Sequence, residues 1–273
     1  MTETKQERFQ FGENWSDFLR ILSDEHIREA EKALSAFLGD INFIGKRFLD
    51  IGSGSGLHSL VARKMGAEVV SFDYDLQSVA CTKELKSRYF PNDQSWKIEQ
   101  GSVLDREYID SLGYFDVSYA WGVLHHTDVL WQALYNAQRP VQEGGLLFVA
   151  IYNDQGVISA VWKTVKRLYC SGWLGRMSMI TIFYPFFLLS GLIIDIIHLR
   201  NPTTRYREHK KYRGMSLVHD WRDWLGGYPF EPAEPARTIS FYKNLGLELI
   251  KFLPTGHGFG NNQFLFCRVT QPS

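Results

Sequence analysis

The sequence predicts a doubly wound α/β fold, with helices on both faces of a mostly parallel sheet, and three observations lead there. Short apolar runs alternate with helix-spaced segments from Arg47 to Ile151, as successive βαβ units require. The first run passes into Gly52-Ser53-Gly54-Ser55-Gly56 just before a helical stretch, the strand–turn–helix junction at which α/β sheets bind ligands. Near the C-terminus, Leu247 to Leu253 and Asn262 to Val269 read as two more strands, an antiparallel pair that brings the count to seven.

Taken in order, residues 14–38 are helical, with Trp15, Phe18, Leu19, Leu22, Ile27, Ala30, Leu34 and Phe37 at helix spacing and Gly39 as the stop. Ser23-Asp24-Glu25 resembles a helix start inside that stretch, so two helices fit it. Strands follow at Arg47 to Ile51, Glu68 to Phe72, residues 96–100, Phe115 to Trp121 and Leu146 to Ile151, the last opened by Gly144-Gly145. Helices are expected at Leu57 to Lys64, 76–89 and 128–138, and beyond Tyr152 at Val157 to Tyr169.

Thirty Lys and Arg balance thirty Asp and Glu, which offers no basic excess for a nucleic-acid footprint, so no nucleic-acid partner is expected. The three cysteines, Cys81, Cys170 and Cys267, are scattered and odd in number. They suggest neither a disulfide framework nor a zinc site, and a reducing compartment fits them. The polar N-terminus from Met1 to Phe9 has no apolar signal core, so the expected location is cytoplasmic, with peripheral membrane contact as a variant. No metal site is expected.

A strand, a glycine turn and a helix suit either of two cofactors. A dinucleotide asks for G-x-G-x-x-G, but the position three beyond Gly54 is Leu57, which disfavours it. The alternative is Asp50-Ile51-Gly52-Ser53-Gly54-Ser55-Gly56, an acid on the strand followed by alternating glycines. This run resembles motif I of the class I S-adenosylmethionine-dependent methyltransferases, whose ligand has no phosphate and carries a cationic amino group that a carboxylate can hold.

The resemblance continues along the chain. Asp73 lies roughly 20 residues past the loop, where that family has its ribose acid; Asp75 is a rival that would instead cap the next helix. Gly101-Ser102-Val103-Leu104-Asp105 falls where the family usually has Gly-Asp-Ala. Ser102 replaces the acid, leaving the Ser102 hydroxyl, Asp105 or main chain alone to hold adenine. Phe115 through His126 looks like motif IV with the turn after it, and Pro140 through Gly145 like the turn before strand five.

By this resemblance S-adenosyl-L-methionine is the cofactor, Asp50 supports its methionine amino end, and Gly52 and Gly54 abut it. Ser53, Tyr74, Ser102, Val103, Ala120 and Trp121 complete the expected cofactor-binding set with Asp73. The implied fold is a Rossmann-like seven-stranded sheet, a single methyltransferase domain over 1–273. It divides into an N-terminal helical flap (1–45), a cofactor core (46–155), a helical insertion or lid between strands five and six (156–235), and strands six and seven (236–273).

A hydroxyl acceptor needs a general base, and His126, just after strand four at the ligand edge, is the candidate. A structural histidine is the rival reading, and His125 is expected to point away. Asn153 and Asp154 lie past strand five, to touch the acceptor or to enter a helix. Arg213, His219, Trp221 and Trp224 belong to a segment able to wall a polar pocket, or to an amphipathic helix packing its tryptophans. Similar Arg-Gly-Met and Asp-Trp-x-Asp-Trp-Leu-Gly-Gly runs occur in a bacterial subgroup of these methyltransferases. Trp15 would sit on a flap over the cofactor, and His257 on a loop between the last strands.

The expected activity is O-methylation of a small polar or glycan-like acceptor. C- or N-methylation, a lipid-linked acceptor, and non-catalytic cofactor binding are the alternatives. Residues 177–199 are strongly apolar, with no charge from Ser178 to Ile194. A single membrane span would put strands six and seven across the bilayer from their sheet, and Pro185 and Gly191 interrupt the run. It reads as a lid or dimer surface, or as a membrane-interface segment with Lys163, Lys166, Arg167 and Arg176 near anionic headgroups.

Overall fold

The computed structural model describes residues 9, 11–39, 41–199, 201, 202, 204, 217–255 and 260–270. The chain forms two compact units, one of 11–155 with 231–273 and one of 156–230 with Phe9.

The first unit is built on a seven-stranded sheet of order β3-β2-β1-β4-β5-β7-β6. Its strands are β1 (Arg47–Ile51), β2 (Glu68–Asp73), β3 (Trp96–Gln100), β4 (Phe115–Trp121), β5 (Val141–Tyr152), β6 (Leu247–Leu253) and β7 (Asn261–Arg268). β1 to β5 pair in parallel, whereas β7 runs antiparallel to both β5 and β6. The sheet order reverses between β1 and β4, so the crevice at their carboxyl ends is where a ligand belongs.

Alternation along the strands separates two cores. Phe48, Val117, Tyr119, Phe148 and Ala150 face α2 (Asp24–Leu38), α3 (Leu57–Lys64) and α4 (Leu76–Tyr89), while Leu49, Ile51, Leu147, Val149 and Ile151 face the other side. On that second side lie α5 (Arg106–Ser111), α6 (Leu130–Gln138) and α10 (Pro235–Asn244). A strand buried on both faces supports such two-sided apolar patterning.

Several boundaries differ from expectation. β5 begins at Val141, and its pairing with β4 shifts register between Phe115 and Val117, which accommodates Gly144 and Gly145 inside the strand. Helix α5, six residues capped by Asp105, and helix α10, with Pro235 in its first turn, were not expected; the latter occupies ground assigned to strands six and seven. The N-terminal stretch does divide, into α1 (Gly12–Ile21) and α2, with a reciprocal capping box between Ser23 and His26. Residues 11–45 thus belong to the compact unit of the sheet.

The second unit contains α7 (Val157–Cys170), α8 (Trp173–Ile197) and α9 (Leu217–Gly226). Helix α8 runs unbroken through Pro185 and Gly191, contrary to the interruption expected there.

Candidate active site

At the end of β1 the chain turns through Gly52 (φ 71°), Gly54 (φ 55°) and Gly56 (φ 79°), and Gly56 caps α3. L side chains resist these left-handed angles. A Cβ on Gly52 would lie 2.3 Å from Val123 Cγ2, and one on Gly54 would lie 2.9 Å from Trp15 Cε2. The turn is anchored from outside: Gly52 and Ser53 donate their amides to the Phe72 carbonyl at 2.9 and 3.1 Å. The Ser53 hydroxyl sits 3.0 Å from that of Thr82.

Two carboxylates flank this turn. Asp50 is 3% exposed and accepts a hydrogen bond from Ser59 Oγ, which lies 2.6 Å from Ser71 Oγ. The Trp96 indole donates to Ser71 at 2.8 Å, closing a buried polar chain. Burial pushes Asp50 up to about 7, against the lowering effect of Ser59. Asp73, at the end of β2, accepts from Gly54 N at 3.0 Å and Asp75 N at 2.9 Å. Burial raises it to about 6 despite those amides. Among the described residues neither acid has a salt-bridge partner. A buried anion without a cation is costly, so this edge favours a cationic ligand.

Asp75 is otherwise engaged. Its carboxylate accepts from Gln77 N at 2.9 Å, capping α4, and from Gly12 N at 3.0 Å, tying down α1. Helix α1 thereby brings Trp15 onto Gly54 and Phe11 to within 4.9 Å of the His126 ring.

At the end of β3, Ser102 Oγ accepts from Leu104 N at 3.2 Å, leaving its own proton to donate. Asp105 caps α5, accepting from Tyr108 N at 3.0 Å. Of the three groups expected to hold adenine, Asp105 is thus committed elsewhere. Val103 and Ala120 turn their side chains into the core, so only their main chain can face a ligand, whereas Tyr74 and Trp121 are exposed.

The turn after β4 holds both histidines on a short 3₁₀ segment, Leu124–His126. His125 is fully buried, its Nδ1 accepting from Tyr152 N at 3.3 Å. His126 is half-buried, its ring 5.7 Å from that of Tyr152. A third histidine, not anticipated, joins this edge. His58 on α3 sits with its ring 4.9 Å from Tyr119 and 6.4 Å from Trp121, and burial lowers it to about 4. Its only sequence signal is its place two residues beyond Gly56.

The acceptor candidates divide. Asn153 is held by Asn262, whose Nδ2 donates to Asn153 Oδ1 at 2.9 Å, and Asp154 N donates to Ala233 O at 3.3 Å. Trp221 and Trp224 pack inside the second unit: Trp221 lies 5.6 Å from both Tyr184 and Phe187, and Trp224 lies 5.4 Å from Trp162. That is the amphipathic-helix packing considered above for this segment. Arg213, His257 and the side chain of His219 lie outside the described residues.

Residues 49–149 match a family described as a methyltransferase domain. A 70-residue stretch is 36% identical to the ribosomal protein L11 methyltransferase of Helicobacter hepaticus, covering 25% of this chain and 21% of that protein. The chain therefore spans about a fifth of the length of that curated relative. The fold is similar to magnesium protoporphyrin IX methyltransferase of Synechocystis with bound S-adenosylhomocysteine, at TM-score 0.54 and 11% identity, over 93% of this chain and 94% of that one. It is also similar to PKMT2 of Rickettsia typhi in complex with S-adenosylhomocysteine, at TM-score 0.56 and 18% identity, over 83% of this chain and 49% of that one.

Proposed function

Because residues 49–149 match a methyltransferase-domain family and the fold is similar to that of a methyltransferase with bound S-adenosylhomocysteine, we propose that this chain is a class I S-adenosylmethionine-dependent methyltransferase that methylates an oxygen of a small polar or glycan-like acceptor, with His126 as the base. S-adenosylmethionine supplies an activated methyl group on a sulfonium sulfur, and S-adenosylhomocysteine is left when the acceptor oxygen takes that methyl. The donor set fits this cofactor: two buried carboxylates lacking a cation partner stand beside a turn where side chains would collide.

In this reading Asp50 and the Gly52–Gly54 backbone hold the cationic methionine end. Asp73 accepts the ribose hydroxyls through the lone pairs its two amide bonds leave free. Ser102 donates to the adenine ring, Val103 and Ala120 contribute main chain, and Tyr74 and Trp121 flank the crevice. His126 takes the proton of the acceptor hydroxyl, and the enzyme's larger contribution is alignment of that oxygen with the methyl carbon.

The observation that supports oxygen transfer is the half-buried His126 ring at the carboxyl end of β4, beside Phe11 and Tyr152. Its test supplies methyl-labelled S-adenosylmethionine with panels of hydroxylated and amine acceptors. His126→Ala should lower kcat on the labelled acceptor by about 100- to 10,000-fold, with S-adenosylhomocysteine affinity unchanged. Wild-type turnover in the variant removes the base role, and label confined to amines removes the oxygen assignment.

A further inference from the structure

Helix α8 carries twelve large apolar residues between Trp173 and Ile197 that are each at least 40% exposed. Its most apolar 18-residue stretch has a mean hydropathy of 2.1, and only 6% of that stretch is buried within the chain. One side is occupied: Phe183 and Phe187 lie 5.3 and 6.3 Å from Trp162 of α7, and Tyr184 lies 5.6 Å from Trp221 of α9. Opposite them, Ile182, Phe186, Leu189 and Ile193 fall in one stripe at spacing i, i+4, i+7, i+11, each 55–58% exposed.

We propose that this face of α8 docks into one leaflet of an anionic membrane, lipid tails covering the apolar surface and acidic headgroups meeting Arg176 and the basic run that follows the helix in sequence. This inference does not depend on the acceptor or on His126. Three observations choose lipid over a second copy of the chain.

The first is the breadth of the face. At 100° per residue the exposed apolar positions other than Trp173 and Ile194 fall within an arc of about 200°, twice the stripe of about 100° that a helix packed on a protein surface uses. A single protein partner leaves part of such an arc in water, whereas acyl chains cover all of it.

The second is charge. The sequence directly after the helix, residues 200–213, contains Arg200, Arg205, Arg207, Lys210, Lys211 and Arg213 against one acid, Glu208. A whole-chain net charge of zero makes that local excess conspicuous. Two copies meeting through this face would bring like charge together, while a surface of acidic lipid attracts it. On the helix itself Arg176 is exposed, whereas Lys166 of α7 is not available to headgroups as expected. It is fully buried, donating to the Trp224 carbonyl with its ammonium 4.3 Å from the Trp224 ring.

The third is topology, which sets the depth. β5, before the insertion, and β7, after it, pair along seven residues of the same sheet, so the chain enters and leaves the second unit on one side of any bilayer. The 25-residue α8 is long enough to cross. Of its described companions, α7 carries Lys163, Lys166 and Arg167, and α9 has ten residues. Neither provides a return span, so α8 lies within one leaflet.

The test is flotation of the full chain with vesicles of phosphatidylcholine alone and with vesicles that also contain phosphatidylglycerol. Binding is expected on the anionic vesicles, weakening with added salt and with phosphatidylcholine alone. The variant F186E/L189E/I193E should partition at least about 100-fold more weakly, since each apolar side chain taken from water contributes about tenfold or more. It should keep its S-adenosylhomocysteine affinity, which shows the first unit to be folded. A chain that stays in solution with anionic vesicles overturns the proposal. So does a lipid-free dimer that this variant converts to monomer while vesicle binding is absent.

Discussion

Lowering the pH should weaken cofactor binding through Asp73, by an amount its surroundings set. Burial holds this carboxyl at about 6, two units above the ordinary value of 3.8. In the proposed site ribose hydroxyls donate to the ionised form, so protonation and cofactor compete for the same group. For an acid at about 6, the ionised fraction falls about tenfold between pH 7 and pH 5, and the dissociation constant rises by the same factor. Asp50, at about 7, adds a second loss over the same interval, so about tenfold is a lower bound.

The sign for stability is opposite. Both carboxyls are raised on folding, so the cofactor-free chain keeps this contribution at acid pH and loses it as pH climbs from the ordinary carboxylate range through about 6 and 7. Ligand-induced stabilisation should therefore grow with pH. The substitution that isolates the effect is Asp73→Asn. It removes charge-assisted hydrogen bonds of about 1.5–3 kcal/mol, or about 10- to 150-fold in affinity. It also leaves either Gly54 N or Asp75 N, the two amides now held by Asp73, without its acceptor. Calorimetric titration of S-adenosylhomocysteine into both proteins from pH 5 to pH 8 reads the result. Affinity independent of pH in the native chain, or a D73N variant that binds as tightly and with the same pH slope, refutes the reasoning.

Two further outcomes follow from the same edge of the sheet. Gly52→Ala places a methyl group 2.3 Å from Val123 Cγ2 at a left-handed backbone angle, and should lower unfolding stability by about 2 kcal/mol or more. Chemical denaturation of G52A beside G52A/V123A checks this, because the second substitution relieves the contact but not the backbone strain. His58 is held near 4, so its contribution to stability is full above about 6.5 and is lost as pH falls towards 4. His58→Phe should flatten that acid limb, by up to about 3 kcal/mol, in melting measured from pH 7 to pH 4.

The sheet was legible where one strand and one turn signal sat side by side. Arg47–Ile51, residues 96–100 and Phe115–Trp121 occur as read, because each apolar run ends in glycine or an acid that stops it. Helix α5 escaped notice because six residues do not establish a period. Helix α10 had its signal in Pro235, overshadowed by the charged and proline-rich segment before it. Gly144-Gly145 reads as a turn, yet it lies within β5, because a register shift against β4 absorbs it. At the candidate site, the resemblance to motif I pointed to Asp50, the glycines and Asp73, which the fold brings together at one edge of the sheet. Side-chain direction was not: nothing in the sequence turns His58 onto Tyr119, or Lys166 inward to the Trp224 carbonyl.

The bridge between Asn153 and Ala233 bears on how such a molecule is assembled from parts. Ala233 donates its amide to Tyr152 O at 3.0 Å and accepts from Asp154 N at 3.3 Å, so the two ends of the long excursion after β5 are stitched together within the sheet unit. Joining them with a few glycines closes a gap that is already one hydrogen bond wide, at the small entropic cost of a short loop. The module between them is therefore a detachable cassette. Excising it should leave the register of every strand unchanged, because all seven strands lie in the sheet unit.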